Sequence, residues 1–362
     1  MIDPQFWRGR RVYLTGHTGF KGAWVALMLS RLGARVTGFA LPVASDDDLF
    51  EVAGVASVLD KHEHGDIRNL ASLAASLQQA EPEIVLHFAA QSLVRLSYDE
   101  PVATYETNVM GTVHVLEAVR RTPSVRATII VTSDKCYENV GWVWGYREAD
   151  RLGGHDPYSN SKGCAELVTD SYRRSFFPPE GPSHVASVRA GNVIGGGDWA
   201  RDRLVPDAIR AFRGGEALRI RNPHAIRPWQ HVLDPLSGYL RLAERLFTNG
   251  ADFAEGWNFG PGTGSEVRVS TLVSRLAGLW GNSASWQVDG DRHVHEAAYL
   301  RLDCSKASIR LDWHPVIDFA KALRLTVEWY RSFGNSRDMR EITMAQIDEF
   351  LAAATGTNEP GV

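Results

Sequence analysis

Only three cysteines, Cys136, Cys164 and Cys304, occur in 362 residues. They are too few and too widely spaced for a disulfide framework, and no CxxC or HExxH grouping accompanies them, so neither a cross-linked secreted scaffold nor a metal site is expected. A reducing, cytoplasmic setting suits such a chain. Long apolar runs are missing as well. No stretch reaches the roughly 18 consecutive apolar residues of a membrane helix, and the opening MIDPQFWRGRRVYLTG reads as carrying no secretory leader. Nor is one sign of charge in excess: the formal net charge is −4 and the 39 Lys and Arg are scattered, which argues against nucleic acid as a partner. No low-complexity tract or internal repeat interrupts the chain.

What is present is the composition of an ordinary globular protein, 44% hydrophobic and 23% charged with 33 glycines. At this length one large domain with a smaller one is expected. Between residues 11 and 132 short β-branched runs alternate with segments of helical period, which is the pattern of βαβ units feeding a parallel sheet. Strands are expected at 11–15, 34–40, 83–89, 127–133 and 184–190. In GAWVALMLSRLG, Trp24, Leu27, Met28, Arg31 and Leu32 follow helical spacing and Gly33 supplies the stop. After Arg189 the rhythm breaks into loops, short helices and Trp-containing turns. The fold class is therefore α/β, a Rossmann-type doubly wound parallel sheet with a smaller, interleaved α/β substrate-binding domain. The expected division is 1–190 for the dinucleotide half, with segments near 228–262 returning to it, 191–350 mainly for the substrate, and 352–362 as a flexible tail.

The first strand runs into TGHTGFKG, with Gly16, Gly19 and Gly22 spaced GxxGxxG before a helix. A tight turn, close approach of backbone to a pyrophosphate and close packing of helix on strand each exclude a Cβ, while the helix N-terminus offers N–H groups to the anion. This points to a dinucleotide. The acid usually found at the end of the second strand, where it binds the adenosine ribose, is absent, since that strand ends GFALPV and the nearest acids are the solvated cluster Asp46, Asp47 and Asp48. The acid rule thus leaves NAD and NADP open; NAD is expected, with His17 or Lys21 available to a phosphate. Asp66 and Ile67 are placed either to meet the adenine or to form an ordinary turn.

Two phrases carry the chemistry. In DPYSNSKG, Asp156-Pro157 opens a helix, so Tyr158 and Lys162 stand one turn apart on one face. Lowering a tyrosine pKa from about 10 to about 7 needs roughly 4 kcal/mol of preference for the phenolate. One positive charge at about 5 Å in an effective dielectric near 20 contributes roughly 3 kcal/mol and an oxidised nicotinamide ring adds more, so Tyr158 is expected to act as a base. In TSDKCYENV, Asp134 stands directly beside Lys135 at the end of a strand. Neighbouring side chains on a strand point to opposite faces, so both can serve one site only where the strand has already broken. Alternation of Trp142 and Trp144 in GWVWGYRE suits either an aromatic lid or a loop pinned to the core or to a neighbouring subunit.

Together these motifs resemble the extended branch of the short-chain dehydrogenase/reductase superfamily that acts on nucleotide sugars. TGHTGFKG, HFAAQS, NVMGT, TSDKCY, YSNSK and NVIGGGDW occur in that order, and they look most like the subfamily of CDP-glucose 4,6-dehydratases. That resemblance implies cofactor contacts at Phe20, Ala89, Ala90, Tyr158 and Lys162. It implies Asp134 as the acid for a departing water, Lys135 as the base at the sugar C5, and Ser133 as a donor near the C4 oxygen. The related dTDP-glucose enzymes carry glutamate where Lys135 stands, which leaves open whether Lys135 is the base or steadies an enolate. Asn192, Arg227 and Arg292 fall where the family holds the diphosphate or ribose. Arg219 and Arg221 suit either that role or solvated strand charges. A homodimer or dimer of dimers, joined through helices near 104–121 and 157–177, is likewise implied. An epimerase and a non-catalytic cofactor-sensing protein are the rival readings; the first is disfavoured by Asp134 and Lys135, the second by the intact Tyr158 and Lys162.

Overall fold

The computed structural model describes residues 2–262, 264–281, 284–290, 300–335 and 337–354. Twelve strands are formed: β1 Arg11–Thr15, β2 Arg35–Ala40, β3 Lys61–His64, β4 Ile84–His87, β5 Ala127–Val131, β6 His184–Ala190, β7 Asn192–Ile194, β8 Ala217–Ile220, β9 Ile226–His231, β10 Gly256–Phe259, β11 Glu266–Arg268 and β12 Ser285–Val288. Seven make one parallel sheet in the order β10-β6-β5-β4-β1-β2-β3. With helices on both faces, central strands are buried on both sides and read as nearly continuous apolar runs; all seven residues of β6 and all four of β4 are buried. The order reverses between β1 and β4, and the crevice outside the strand ends there is where doubly wound sheets bind ligands.

The expected strands are all present, three of them shorter than the apolar runs suggest. β3 is an addition. Its KHEH sequence has no apolar period, and it is held by parallel pairing to β2 instead. The first long helix spans Phe20–Arg31 and ends ahead of Gly33, whose φ is +82°. Its face differs from the expected stripe, because Gly22 to Leu29 are buried without a break. A helix buried all round lies between two layers, and here the C-terminal helix Met339–Ala354 covers the side away from the sheet.

Beyond β6 the chain builds a three-stranded sheet, β11-β9-β7, and a parallel pair, β12-β8. The helix Leu233–Asn249 packs against β5 and β6, and β10 then adds the edge strand next to β6. One large apolar core runs from Trp24 and Leu27 through Trp229 and Leu236 to Trp257 and Trp329, and a second gathers Tyr13, Val85 and Ile130 of the sheet against Leu73 and Leu116.

Candidate active site

The glycine turn follows β1 at the point of reversal. Gly16 has φ +76°, and a Cβ there would lie 2.6 Å from the Ala89 nitrogen; a Cβ on Gly22 would lie 2.0 Å from the Gly16 carbonyl oxygen. Ala89, whose N–H donates to Thr15 Oγ1 at 3.2 Å, is thereby brought against the turn together with Ala90, the next residue in the chain. Gly19 caps the helix with no side chain bonded to its first N–H groups, which leaves them for an anion. These features fit the pyrophosphate of a dinucleotide. Gly22→Ala is expected to cost about 1 to 3 kcal/mol of stability and to abolish dinucleotide binding, which thermal melting with and without the nucleotide would check.

His17 differs from expectation. Its imidazole is fully buried in the space that Gly38 leaves by lacking a side chain, and Nε2 meets His62 Nδ1 at 2.7 Å. Burial, with His62 and His64 beside it, pushes its pKa down to about 3, so the ring is neutral and turned toward β2 and β3, away from a phosphate on the turn. Phe20 and Lys21 are half-buried at the helix start, and burial with Arg203 nearby lowers the Lys21 pKa to about 8. At the adenosine end, the Asp66 carboxylate is gripped by the Arg68 guanidinium, which holds its pKa down, while Ile67 is buried and its carbonyl meets His114 Nδ1. Asp66 therefore has the contacts of an ordinary turn aspartate.

The catalytic helix forms as its sequence dictates. Asp156 caps it by accepting from Ser159 N, Pro157 occupies the first turn, and the helix runs Pro157–Phe176. Tyr158 and Lys162 are both buried on it, and the Lys162 ammonium donates to the Val131 carbonyl at 3.3 Å. The strand before Asp134 has already broken. Ser133 caps a tight turn, Asp134–Cys136, and its hydroxyl accepts from Lys135 N and donates to Asp134 Oδ1 at 3.0 Å. Ser133 is also close enough to the Tyr158 phenol to act on its ionisation, so phenol and carboxylate lie to either side of one serine. Asp134 is buried and Lys135 half-buried.

Burial outweighs charge in this pocket. In the protein alone the Tyr158 pKa is not lowered; burial carries it up to about 12, with the Ser133 hydrogen bond and the Arg203 charge pulling the other way. Desolvation of the phenolate outweighs the cations present. Burial, with the neighbouring Lys21 adding to it, lowers the Lys162 pKa to about 8. Burial raises Asp134, opposed first by Lys135 and then by Ser133, Arg227 and Lys21. The pocket thus favours a carboxylic acid beside amines that give up their protons readily.

Arg227 on β9 and Asn192 on β7 are half-buried in neighbouring strands, and Arg227 is close enough to act on Asp134. Arg219 lies instead on the exposed side of β8, where Leu218 and Ile220 take the buried side. Arg292 lies outside the described residues. Trp142 packs on Tyr146 at 5.1 Å while Val143 and Trp144 are exposed, so the loop is pinned through Trp142. Sequence reasoning missed Asp198 and Arg203. Arg203 donates to Asp198 at 2.9 Å and to Ser92 at 2.7 Å beside the phenol. Asp198 stands within the NVIGGGDW motif without a role read from it, and Arg203 takes its place through Ser92, 111 residues away in the chain.

A family model described as GDP-mannose 4,6 dehydratase matches residues 14–326. A CDP-glucose 4,6-dehydratase of Salmonella typhimurium is 52% identical over 98% of this chain and 100% of its own length. A dTDP-glucose 4,6-dehydratase of Xanthomonas campestris is 28% identical over 88% of this chain and 92% of its own. Among solved structures, a dTDP-glucose 4,6-dehydratase (DesIV double mutant) from Streptomyces venezuelae with NAD and DAU bound superposes with a TM-score of 0.77 at 25% identity, covering 91% of this chain and 99% of that one.

Proposed function

The chain belongs to the GDP-mannose 4,6-dehydratase family, and from that premise we propose that it converts CDP-D-glucose to CDP-4-keto-6-deoxy-D-glucose and water with NAD as cofactor. The observation that carries the reading is the Asp134 carboxylate, bonded by the Ser133 hydroxyl and near enough to act on the buried Tyr158 phenol, with Lys135 on the same broken strand end. An epimerase needs only the phenol and its lysine. The adjoining acid and base are what an elimination requires. Gly16, Gly19, Phe20, Gly22, Ala89 and Ala90 would hold NAD, which would supply a hydride acceptor for C4 and, reduced, a donor for C6.

Tyr158 takes the proton of the C4 hydroxyl, and Lys162 beneath it favours the phenolate. With C4 a ketone, the C5 hydrogen is acidic and Lys135 removes it as a proton. The C6–O bond breaks as Asp134 gives its proton to the leaving hydroxyl, which departs as water. Lys135 then returns its proton to C5, and the proton that Tyr158 took from the C4 hydroxyl replaces the one Asp134 gave to the departing water, leaving the C4 ketone with both groups restored and net redox zero. Arg227, Asn192 and Arg203 hold the diphosphate side of the nucleotide. The functional halves are the dinucleotide region 1–190, joined by the helix Leu233–Asn249 and β10, and the sugar-nucleotide region 191–350.

We further infer a cytoplasmic homodimer. Exposed Met110, Leu167 and Phe176 on the helical region of 104–121 and 157–177 support the association, and the free thiols of Cys136, Cys164 and Cys304 suit a reducing compartment. Incubation with CDP-glucose followed by mass spectrometry tests the activity. Loss of one water without net NADH is the expected result; an isomer of unchanged mass would establish the epimerase instead.

A further inference from the structure

One turn beyond Lys162 on the catalytic helix stands Glu166, so Tyr158, Lys162 and Glu166 share a face at intervals of four. Glu166 forms a buried ion pair with Arg189 at the end of β6, the two side chains being 3% and 5% exposed. One carboxylate oxygen accepts from the Thr132 hydroxyl at 2.5 Å and from Arg189 Nε at 2.9 Å. The other accepts from Ser187 Oγ at 2.6 Å and Arg189 Nη2 at 2.8 Å. The remaining guanidinium nitrogen, Nη1, donates to the Tyr137 hydroxyl at 2.6 Å and to the Glu148 carbonyl at 3.1 Å. Tyr137 in turn donates to Asn258 Oδ1 on β10 at 2.8 Å. Burial works against the Glu166 charge, yet Arg189 and these donors bring its pKa down to about 2, so the pair is ionised. β10 makes room for it with Gly256, where a Cβ would lie 2.7 Å from Arg189 Nη2.

Thr132 immediately precedes Ser133, and Tyr137 immediately follows Cys136. The ion pair therefore grips both ends of the four-residue segment that presents Asp134 and Lys135. Burying two charges is a poor way to stabilise a fold, because desolvation offsets most of their attraction. Holding an acid and a base on a broken strand end within a fraction of an ångström is a task that such a fully bonded network does perform.

We propose that Glu166 and Arg189 are positioning residues for the elimination step, clamping the Ser133–Cys136 segment so that Asp134 and Lys135 meet C6 and C5 of the sugar. The proposal rests on the dehydratase reading and separates the two halves of the chemistry. Oxidation at C4 depends on Tyr158 and Lys162, which the helix itself holds. Elimination depends on the clamped segment.

The test uses the NAD-loaded protein in single turnover with CDP-glucose, following reduced-nicotinamide absorbance and the mass of the product. In Tyr137→Phe the signal is expected to rise near the wild-type rate and to decay about 10- to 100-fold more slowly, the cost of a misplacement near 1 Å; in Glu166→Gln, which also removes a charge acting on Lys162, the decay is expected to slow more than the rise. NAD affinity should change little. Thr132→Val, which frees one end of the segment and leaves the ion pair intact, should show the same imbalance to a smaller degree and serves if Glu166→Gln does not fold. Rise and decay slowed in equal proportion, or both unchanged in Tyr137→Phe and Thr132→Val, would overturn the proposal. A wild-type protein giving neither signal nor product would instead overturn the dehydratase reading.

Discussion

Replacing Tyr158 by phenylalanine is expected to lower kcat by about 100- to 10,000-fold, the range of a lost general base, with the melting temperature within a few degrees of wild type. The ring is retained, so the buried volume on the helix is unchanged and no cavity opens. Only the hydroxyl goes, the group on which Ser133 and Arg203 act. In the protein alone that phenol sits near pKa 12 because burial outweighs the nearby cations. Charge added by the oxidised cofactor is thus part of what makes it a base. No reduced nicotinamide should form in the variant, since the first proton has nowhere to go. Retention of full turnover would remove Tyr158 from the mechanism.

Asp134→Asn should show the complementary defect. The C4 oxidation is expected to proceed while product formation falls by about 100- to 1,000-fold, so rapid quench would find the substrate trapped before loss of water. A pH profile gives an independent sign. Asp134 must be protonated to donate, and burial raises its pKa, against Lys135, Ser133, Arg227 and Lys21. The wild-type rate therefore falls as pH rises through that pKa, and asparagine, having no proton to lose, should flatten this alkaline limb. The folded state binds a proton that the unfolded state has already released, so stability falls as pH climbs from the ordinary carboxylate range through the raised pKa. Asparagine removes that penalty, and a slightly higher melting temperature at neutral pH is expected.

Both variants concern residues that the sequence displays openly. β1 and β6 were legible to the residue because central strands are apolar runs bounded by turn residues. Gly16, Tyr158 and Asp134 were legible because each belongs to a local spacing. Failures came where a residue is defined by a remote partner. The KHEH strand exists only by pairing with β2. His17 lies on the glycine turn in sequence, yet its ring is held by Gly38 and His62. Glu166 did offer a signal, standing four residues past Lys162, but only Arg189, 23 residues away, gives it meaning. The rise that burial gives the phenol's pKa in the protein alone was not legible, because charge can be counted in a sequence and desolvation cannot.

The edge strand β10 is made some 65 residues after β6, with the whole β7 to β9 region between them. Until it arrives, the fully buried β6 presents an open edge, and Arg189 lacks both the Gly256 recess and the Tyr137–Asn258 bridge. A nascent polypeptide emerging from the ribosome consequently cannot complete its nucleotide half first and append the sugar half later. Fragments ending near residue 190 would be adhesive intermediates, and the two halves could not be exchanged with those of another enzyme by a single splice.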